Sequence, residues 1–563
     1  MIIYDFEVTK YDWLVCYLDT DLRKEGVIVN NKPELEEFYK KYKDTIFIGY
    51  NSRNYDQYIL KGILAGFDPY KITDWIINQD RRGYEFSNLL NNFPLLNYDT
   101  SVGFRSLKEL EAFMGHDIRE SNIPFDIDRK LTDKELEEMI KYCKHDVWET
   151  FEVFVETKTE FESHIGLLKE FNLPITYISK TKAQLSAIIL GANQKKRNDE
   201  FDISFPDTLQ LGKYEWIKDW YINWSKNVKD YKQMELETEV GGIIHRFGIG
   251  GIHSQLNNYY GEGDFILADV NSYYPSIMIE YKFLSRNVSN PEKFKQILLE
   301  RFKLKSENDP REYPRKIVLN STYGASKDQY NALYDPLMAN NVCIAGQLLL
   351  VDLIDKIEHI ADIIQSNTDG VLFKPKLPEY KDEVLRLCEE WSTRTRMGLG
   401  YEEYVKVIQK DINNFIMVAK NGKIKRKGVW VKKLNPLDND LPIVNRAIVD
   451  YLVNGVPVET TIMNSTNLID FQKITKVSNK YDYAVYNGNI LYEKVHRTFA
   501  SKFGGATLYK KHKNKDTLDK TAGTPESCRI ENGNVTELKV PYWLDRQFYI
   551  DLANERIKSF LGE

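Results

Sequence analysis

The residues best placed to do chemistry in this sequence are carboxylates at the ends of strand-like runs. In "MIIYDFEV" the two-residue period of a strand puts Asp5 and Glu7 on one face and Phe6 on the other. Two carboxylates side by side repel unless a cation sits between them, although a solvated strand edge carries such a pair as well. Asp56 follows "TIFIGYN" and the loop Ser52-Arg53-Asn54, at a strand-to-helix junction where capping the helix is its simplest role. Tyr142 and Asp146 lie four apart on a helix opening at Thr132-Asp133, beside the apolar stripe Leu136, Met139, Ile140, Cys143 and Val147. Asp269 ends the apolar strand "DFILADV", a costly placement unless paired or metal-bound. Asp369 lies in Asn367-Thr368-Asp369-Gly370, between apolar runs that read as a β-hairpin; a tight turn favours these residue types in any case.

These groups must be held by several folding units, because 563 residues exceed one hydrophobic core and ~150 residues per domain suggests three to five. Residues 1–165 alternate strand-like and helix-like stretches and read as an α/β domain; 166–240 read as a connector. A second α/β region runs over 241–435, and 436–563 mixes short strands, basic loops and a terminal helix. Hydrophobic residues make up 42% and charged residues 28%, and no apolar run of ~18 to 20 residues stands out, so no membrane partner is expected. The five cysteines show no CxxC spacing, and no secretory leader is apparent; a reducing, cytoplasmic setting is expected. A net charge of -6 argues weakly against a nucleic-acid partner, yet "KNGKIKRKGVWVKK" and "SKFGGATLYKKHKNKDTLDKT" are strongly basic. A groove can be positive on an acidic protein, and solvated loops account for such runs equally well.

In order and separation, Asp5-Phe6-Glu7, Asn51 to Asp56 and Tyr142 to Asp146 resemble the DxE, NxxxYD and YxxxD exonuclease motifs of proofreading DNA polymerases. "ADVNSYYPSI" resembles motif A of family B DNA polymerases, "KIVLNSTYG" their motif B, and "SNTDG" stands where motif C belongs. The resemblance runs from Asp5 to about Gly428. It implies a ribonuclease-H-like 3'-5' exonuclease domain over 1–165, then a right-hand polymerase: palm at 241–284 and 326–435, fingers at 285–325, thumb in 436–563. It further implies that Asp5, Glu7, Asp56 and Asp146 hold two Mg²⁺ or Mn²⁺ ions, with Tyr142 orienting the attacking water, and that Asp269 and Asp369 hold two more for nucleotidyl transfer. Hard oxygen ligands and paired ions suit phosphodiester chemistry. Lys316 and Asn320 would meet the triphosphate, Tyr274 would exclude a 2'-hydroxyl, and Tyr323 would lie near the base pair; on "PEKFKQILLERFKLKSEN" Arg301 and Lys305 share a face that would grip phosphates, and an exposed basic stripe accounts for them equally well. Asn51, Tyr55, Gly250, Gly251, Lys425, Arg426 and Lys427 would contact DNA.

The sequence departs from the family in places. Asn367 replaces an acidic residue of motif C, Gly370 replaces Ser, Tyr273 replaces Leu, and the YxGG loop is present only as "FGIGGIHS". Asp269 to Lys316 spans 47 positions and Asn320 to Asp369 spans 49, too few for the extra subdomains of protein-primed members. The expectation is therefore a monomeric, compact, phage-like polymerase acting on primer-template DNA and dNTPs, aided by a helicase or processivity factor. Two other readings stay open. One is a 3'-5' exonuclease with a degenerate polymerase half, motivated by Asn367. The other is a single-strand-binding replication factor using basic loops and aromatics.

Overall fold

The structure, a computed structural model, describes residues 1–121 and 123–563. The chain is a mixed α/β protein with several sheets, and it divides into two compact units. Unit 1 comprises Met1–Ser179, Leu434–Ala447 and Glu459–Leu552; unit 2 comprises Lys180–Lys433, Ile448–Val458 and Ala553–Glu563. The region after residue 435, expected to follow the palm as one piece, is thus shared between both units.

Unit 1 is built on a five-stranded sheet of β1 (Ile2–Val8), β2 (Trp13–Asp19), β3 (Lys24–Val29), β4 (Phe47–Gly49) and β5 (Asn97–Asp99), in the order β3-β2-β1-β4-β5. The β1–β4 and β4–β5 pairs are parallel and the others antiparallel. Central β1 is buried along its length except at Asp5, which is half-buried, and apolar side chains such as Ile2, Tyr4 and Phe6 anchor it in the core. Three helices frame the carboxylates: α1 (Asp56–Ala65), α2 (Leu107–Met114) and α3 (Asp133–Glu156). Capping boxes start α2 at Ser106/Glu109 and α3 at Thr132/Glu135, each satisfying two end donors reciprocally.

Unit 2 is organised by a nine-stranded, wholly antiparallel sheet. In chain order its strands are β6 (Leu236–Val240), β7 (Ile243–Phe247), β8 (His253–Gln255), β9 (Tyr259–Val270), β10 (Ala361–Ser366), β11 (Gly370–Pro375), β12 (Leu399–Asp411), β13 (Asn414–Ala419) and β14 (Ile424–Lys427). Their spatial order is β14-β13-β12-β9-β11-β10-β8-β7-β6, so β9 and β11 are central neighbours. The helices α4 (Tyr273–Glu280), α5 (Pro291–Ser306), α6 (Glu312–Lys327) and α7 (Pro336–Ile357) fill the intervals between the motif carboxylates. Helix α7 is long and apolar enough to cross a membrane by length and composition, although Asn340, Asn341, Gln347 and Asp352 interrupt its apolar run. It is buried throughout its apolar window and serves as a core helix. Its polar groups are paired inside the unit: Asn341 with Ser204, Asp352 with Arg394 and Gln347 with the loop before β8.

Candidate active sites

In unit 2, Asp269 lies directly across the ladder from Gly370. The Val270 N–H donates to the Asp369 carbonyl (2.7 Å), and the Asn367 N–H closes the β10–β11 hairpin on the Gly370 carbonyl (2.8 Å). Ladder and turn together bring two carboxylates, 100 residues apart in the chain, to one end of the sheet. Neither carboxylate forms an ion pair with a described residue. Burial and then the charge of Asp369 push the Asp269 carboxyl up to about 6, and burial raises that of Asp369, with Lys425 opposing both shifts.

A cavity of about 360 Å³ opens beside this pair, within the size range of small-molecule sites. Its lining includes eight of the expected residues: Asp269, Asp369, Tyr274, Arg301, Lys305, Lys316, Asn320 and Tyr323. Arg301 is only 7% exposed, so it is not part of an exposed basic stripe. Its Nε donates to Glu312 Oε2 (3.1 Å) and its Nη1 to the Ser272 hydroxyl, and Ser272 holds a left-handed φ of 49° in the turn after Asp269. The rings of Tyr274 and Tyr323 lie 4.4 Å apart. Tyr273, which replaces Leu, is buried and donates its hydroxyl to the Gly346 carbonyl on α7 (2.6 Å). A Cβ at Gly346 would lie 3.1 Å from Tyr274 Cε1, so this glycine seats both tyrosine rings.

The expected DNA contacts in unit 2 do not share that cavity. Gly250 and Gly251 line a separate groove of about 870 Å³ together with Lys232, Arg246, His253 and Asn413. Helix α7 pins their loop, because Gln347 Nε2 donates to the carbonyls of Gly248 and Gly250 (2.7 Å each). Gly251 has no room for a side chain, since a Cβ would fall 2.2 Å from Thr368 Oγ1 at the hairpin tip. Lys425, Arg426 and Lys427 lie on the edge strand β14, where Lys425 pairs with Glu402 (3.2 Å).

In unit 1, Asp5 and Glu7 project from β1 into a cluster completed by Asp56 and Asp146. Asp56 does not cap α1: its Oδ1 accepts the Phe6 N–H (3.1 Å), tying the helix start to β1. Glu7 is 8% exposed and has neither a hydrogen bond nor an ion pair with any described residue. Burial comes first, and the neighbouring carboxylates next, in raising Asp5 and Glu7; burial pushes Asp56 up to about 7 and Asp146 up to about 6. Tyr142 keeps its proton because burial and the Asp146 charge hold its hydroxyl far above the usual range. Asn51 takes φ 56° and donates its N–H to Asp99 Oδ1 (3.1 Å), while the Tyr55 hydroxyl bonds that of Thr73 (2.9 Å). Asp99 also accepts the Arg53 N–H (2.9 Å), so the end of β5 shapes the whole Asn51–Asp56 turn.

Four residues of this cluster, Lys108, Glu111, Cys143 and His145, carry no site role in the sequence expectations. Lys108 Nζ contacts Asp146 Oδ1 (2.5 Å) and Glu111 Oε1 (2.8 Å) and stands 4.6 Å from the Tyr142 ring centroid. Burial works against the Lys108 ammonium, but Asp146 and Glu111 more than offset it. His145 Nε2 lies 3.6 Å from Glu111 Oε2, and Cys143 Sγ is 3.5 Å from Asp5 Oδ2. A Lys-x-x-Glu spacing is ordinary on exposed helices, and nothing in it points to Asp146.

No family profile and no curated protein matches the chain. Among solved structures it is similar to the family B DNA polymerase from the hyperthermophilic archaeon Pyrobaculum calidifontis. The likeness is distant. Identity is 13% and the TM-score 0.42, with all of this chain and 78% of that chain covered.

Proposed function

We propose that this protein is a template-directed DNA polymerase of the family B kind with a 3'-5' proofreading exonuclease, compact and phage-like, working from a nucleic-acid primer. The observation that carries this reading is the unit 2 cavity. Two carboxylates that form no ion pair with a described residue, three basic side chains and three tyrosines converge there from four separated segments. Arg301, Lys305 and Lys316 supply the positive charge that a triphosphate needs, and Asn320 a hydrogen bond. Tyr274 closes the floor beneath the sugar, and Tyr323 stands beside it for the nascent pair. The all-oxygen donors Asp269 and Asp369 repel each other without a cation, which suits Mg²⁺ or Mn²⁺.

The cluster of Asp5, Glu7, Asp56 and Asp146 supports a second, ribonuclease-H-like centre on the same grounds: four carboxylates crowd together, and Glu7 is nearly buried with no partner. When bound, paired divalent cations supply Lewis-acid activation of the attacking oxygen and stabilise the leaving one. Tyr142, held protonated, is placed to orient a water. Lys108 opposes the burial that raises Asp146 and fixes that carboxylate in position.

The test is a labelled primer-template with Mg²⁺, with and without deoxynucleotides. The expected result is extension when they are present and shortening when they are absent. Asp369→Ala should abolish extension and spare shortening, and Asp5→Ala with Glu7→Ala should do the reverse. Loss of both activities in either variant would overturn the two-centre reading, and shortening without extension in the parent would leave only the nuclease.

A further inference from the structure

The C-terminal segment of unit 1, Glu459–Leu552, sets a fully buried cation against the helix that carries Lys108. Arg497, on the strand Val495–Ala500, is 0% exposed and meets no carboxylate within ion-pair distance among the described residues. Its guanidinium donates only to carbonyls: Nη1 to Gly533 (2.6 Å) and Glu531 (3.3 Å), and Nη2 to His116 (2.7 Å), Ala112 (3.1 Å) and Glu111 (3.5 Å). Three of those carbonyls close the C-terminal end of α2, 381 to 386 residues away in the chain. Helix ends concentrate unpaired carbonyl charge, which is the setting in which a buried cation is best tolerated.

That helix end meets the same segment at a second point. Gly115 caps α2 at φ 83°, with its own N–H and that of His116 returning to Ala112 and Glu111. A Cβ at Gly115 would fall 2.5 Å from Ile469 Cδ1, another residue of the C-terminal segment. The Ile118 N–H donates to the Asn532 carbonyl and the Val535 N–H to the Gly115 carbonyl (2.8 Å each), so the chain after α2 is paired with the C-terminal segment along its backbone. Glu111, whose carbonyl Arg497 meets, sets its side chain near His145, and one turn back from it α2 carries Lys108 against Asp146.

From this geometry, and resting on the nuclease reading above, we infer that Arg497 is a positioning residue of the nuclease centre and that Glu459–Leu552 forms part of the scaffold of that centre. Arg497 fixes the height of α2 against α3, and thereby the direction from which Lys108 holds Asp146 among the metal-binding carboxylates. A residue that acts this way governs cation binding more than DNA binding.

The experiment uses the full chain carrying Arg497→Lys, and separately Gly115→Ala, which disturbs the same helix end through its contact with Ile469. Two quantities are read. One is the half-saturating Mn²⁺ for primer shortening; the other is Mn²⁺ affinity by electron paramagnetic resonance titration, in an Asp369→Ala background that weakens the unit 2 site. Both should worsen by about tenfold, the usual effect of removing an outer support of a metal site, with KM for single-stranded DNA unchanged. Extension by Arg497→Lys with Asp369 intact should match the parent. Where Arg497→Lys melts early, Gly115→Ala carries the same readouts. Parental Mn²⁺ affinity and half-saturation in either folded variant would overturn the inference. A parent chain that neither shortens DNA nor binds Mn²⁺ in the Asp369→Ala background would instead overturn the nuclease reading.

Discussion

Gly370 lies directly opposite Asp269, and a Cβ at position 370 would stand 2.8 Å from Asp269 Oδ1 and 2.9 Å from the Ala268 carbonyl. The missing side chain makes room for the carboxylate, and a backbone carbonyl cannot swing aside as a flexible side chain can. Gly370→Ala should therefore displace the Asp269 carboxylate and lower extension by at least about tenfold, equivalent to about 1.4 kcal/mol, without affecting primer shortening. Single-turnover extension and shortening assays check this, and unchanged extension would show that Asp269 has another resting place.

The acidic cluster of unit 1 should make the metal-free protein sensitive to pH. Asp56 is raised from 3.8 to about 7 and Asp146 from 3.8 to about 6, chiefly by burial, and Asp5 and Glu7 are raised as well. A carboxyl raised on folding contributes stability that is fully present below its unfolded value and lost as pH rises through its folded value. In chelator, Tm should fall between pH 4 and about 7, and Mg²⁺ should restore more of it at pH 8 than at pH 5. Glu7→Gln should raise stability in chelator at pH 8, because it removes a buried charge that its neighbours oppose. Thermal melts with and without Mg²⁺ measure this; a destabilised Glu7→Gln would mean that the carboxylate has a protein partner.

Lys108→Met should impair the nuclease and leave extension intact. Removing one partner of a buried pair costs about 3 kcal/mol, because Asp146 and Glu111 lose their cation. The Asp146 carboxyl should then rise above its value of about 6, so the acid limb of the shortening rate should move to higher pH. A pH–rate profile matching that of the parent would remove Lys108 from the site.

Gly346→Ala should act on nucleotide entry. Its added Cβ, 3.1 Å from Tyr274 Cε1 and 3.4 Å from Tyr273 Cε1, requires the rings to shift by a few tenths of an ångström toward the cavity. KM for deoxynucleotides should rise by about threefold with kcat little changed, the signature of binding lost equally in the ground and transition states. An effect confined to kcat would place the contact elsewhere in the cycle.

Asn367→Asp should change extension by less than about threefold. The Asn367 contribution visible in the fold is its N–H to the Gly370 carbonyl (2.8 Å), which aspartate supplies equally, and its Oδ1 faces the Gln365 amide at 3.4 Å. A large gain in rate would instead mark the asparagine as a lesion in the polymerase half.

The sequence alone determined what depends on short-range period and spacing. Alternation in "MIIYDFEV" places Asp5 and Glu7 on one face, the Thr132/Glu135 box starts the helix bearing Tyr142 and Asp146, and Asn-Thr-Asp-Gly turns the hairpin that presents Asp369. These are local consequences of backbone geometry and capping, so they are legible before the chain folds. Tertiary structure alone decided the rest: the turning of Asp56 onto the Phe6 N–H, the Lys108 contact with Asp146, the crowding of Asp269 against Gly370, and the burial of Arg497 against carbonyls nearly 400 residues distant. Each joins groups on different elements, and its strength comes from excluding water around charges that, in the unfolded chain, water would solvate separately.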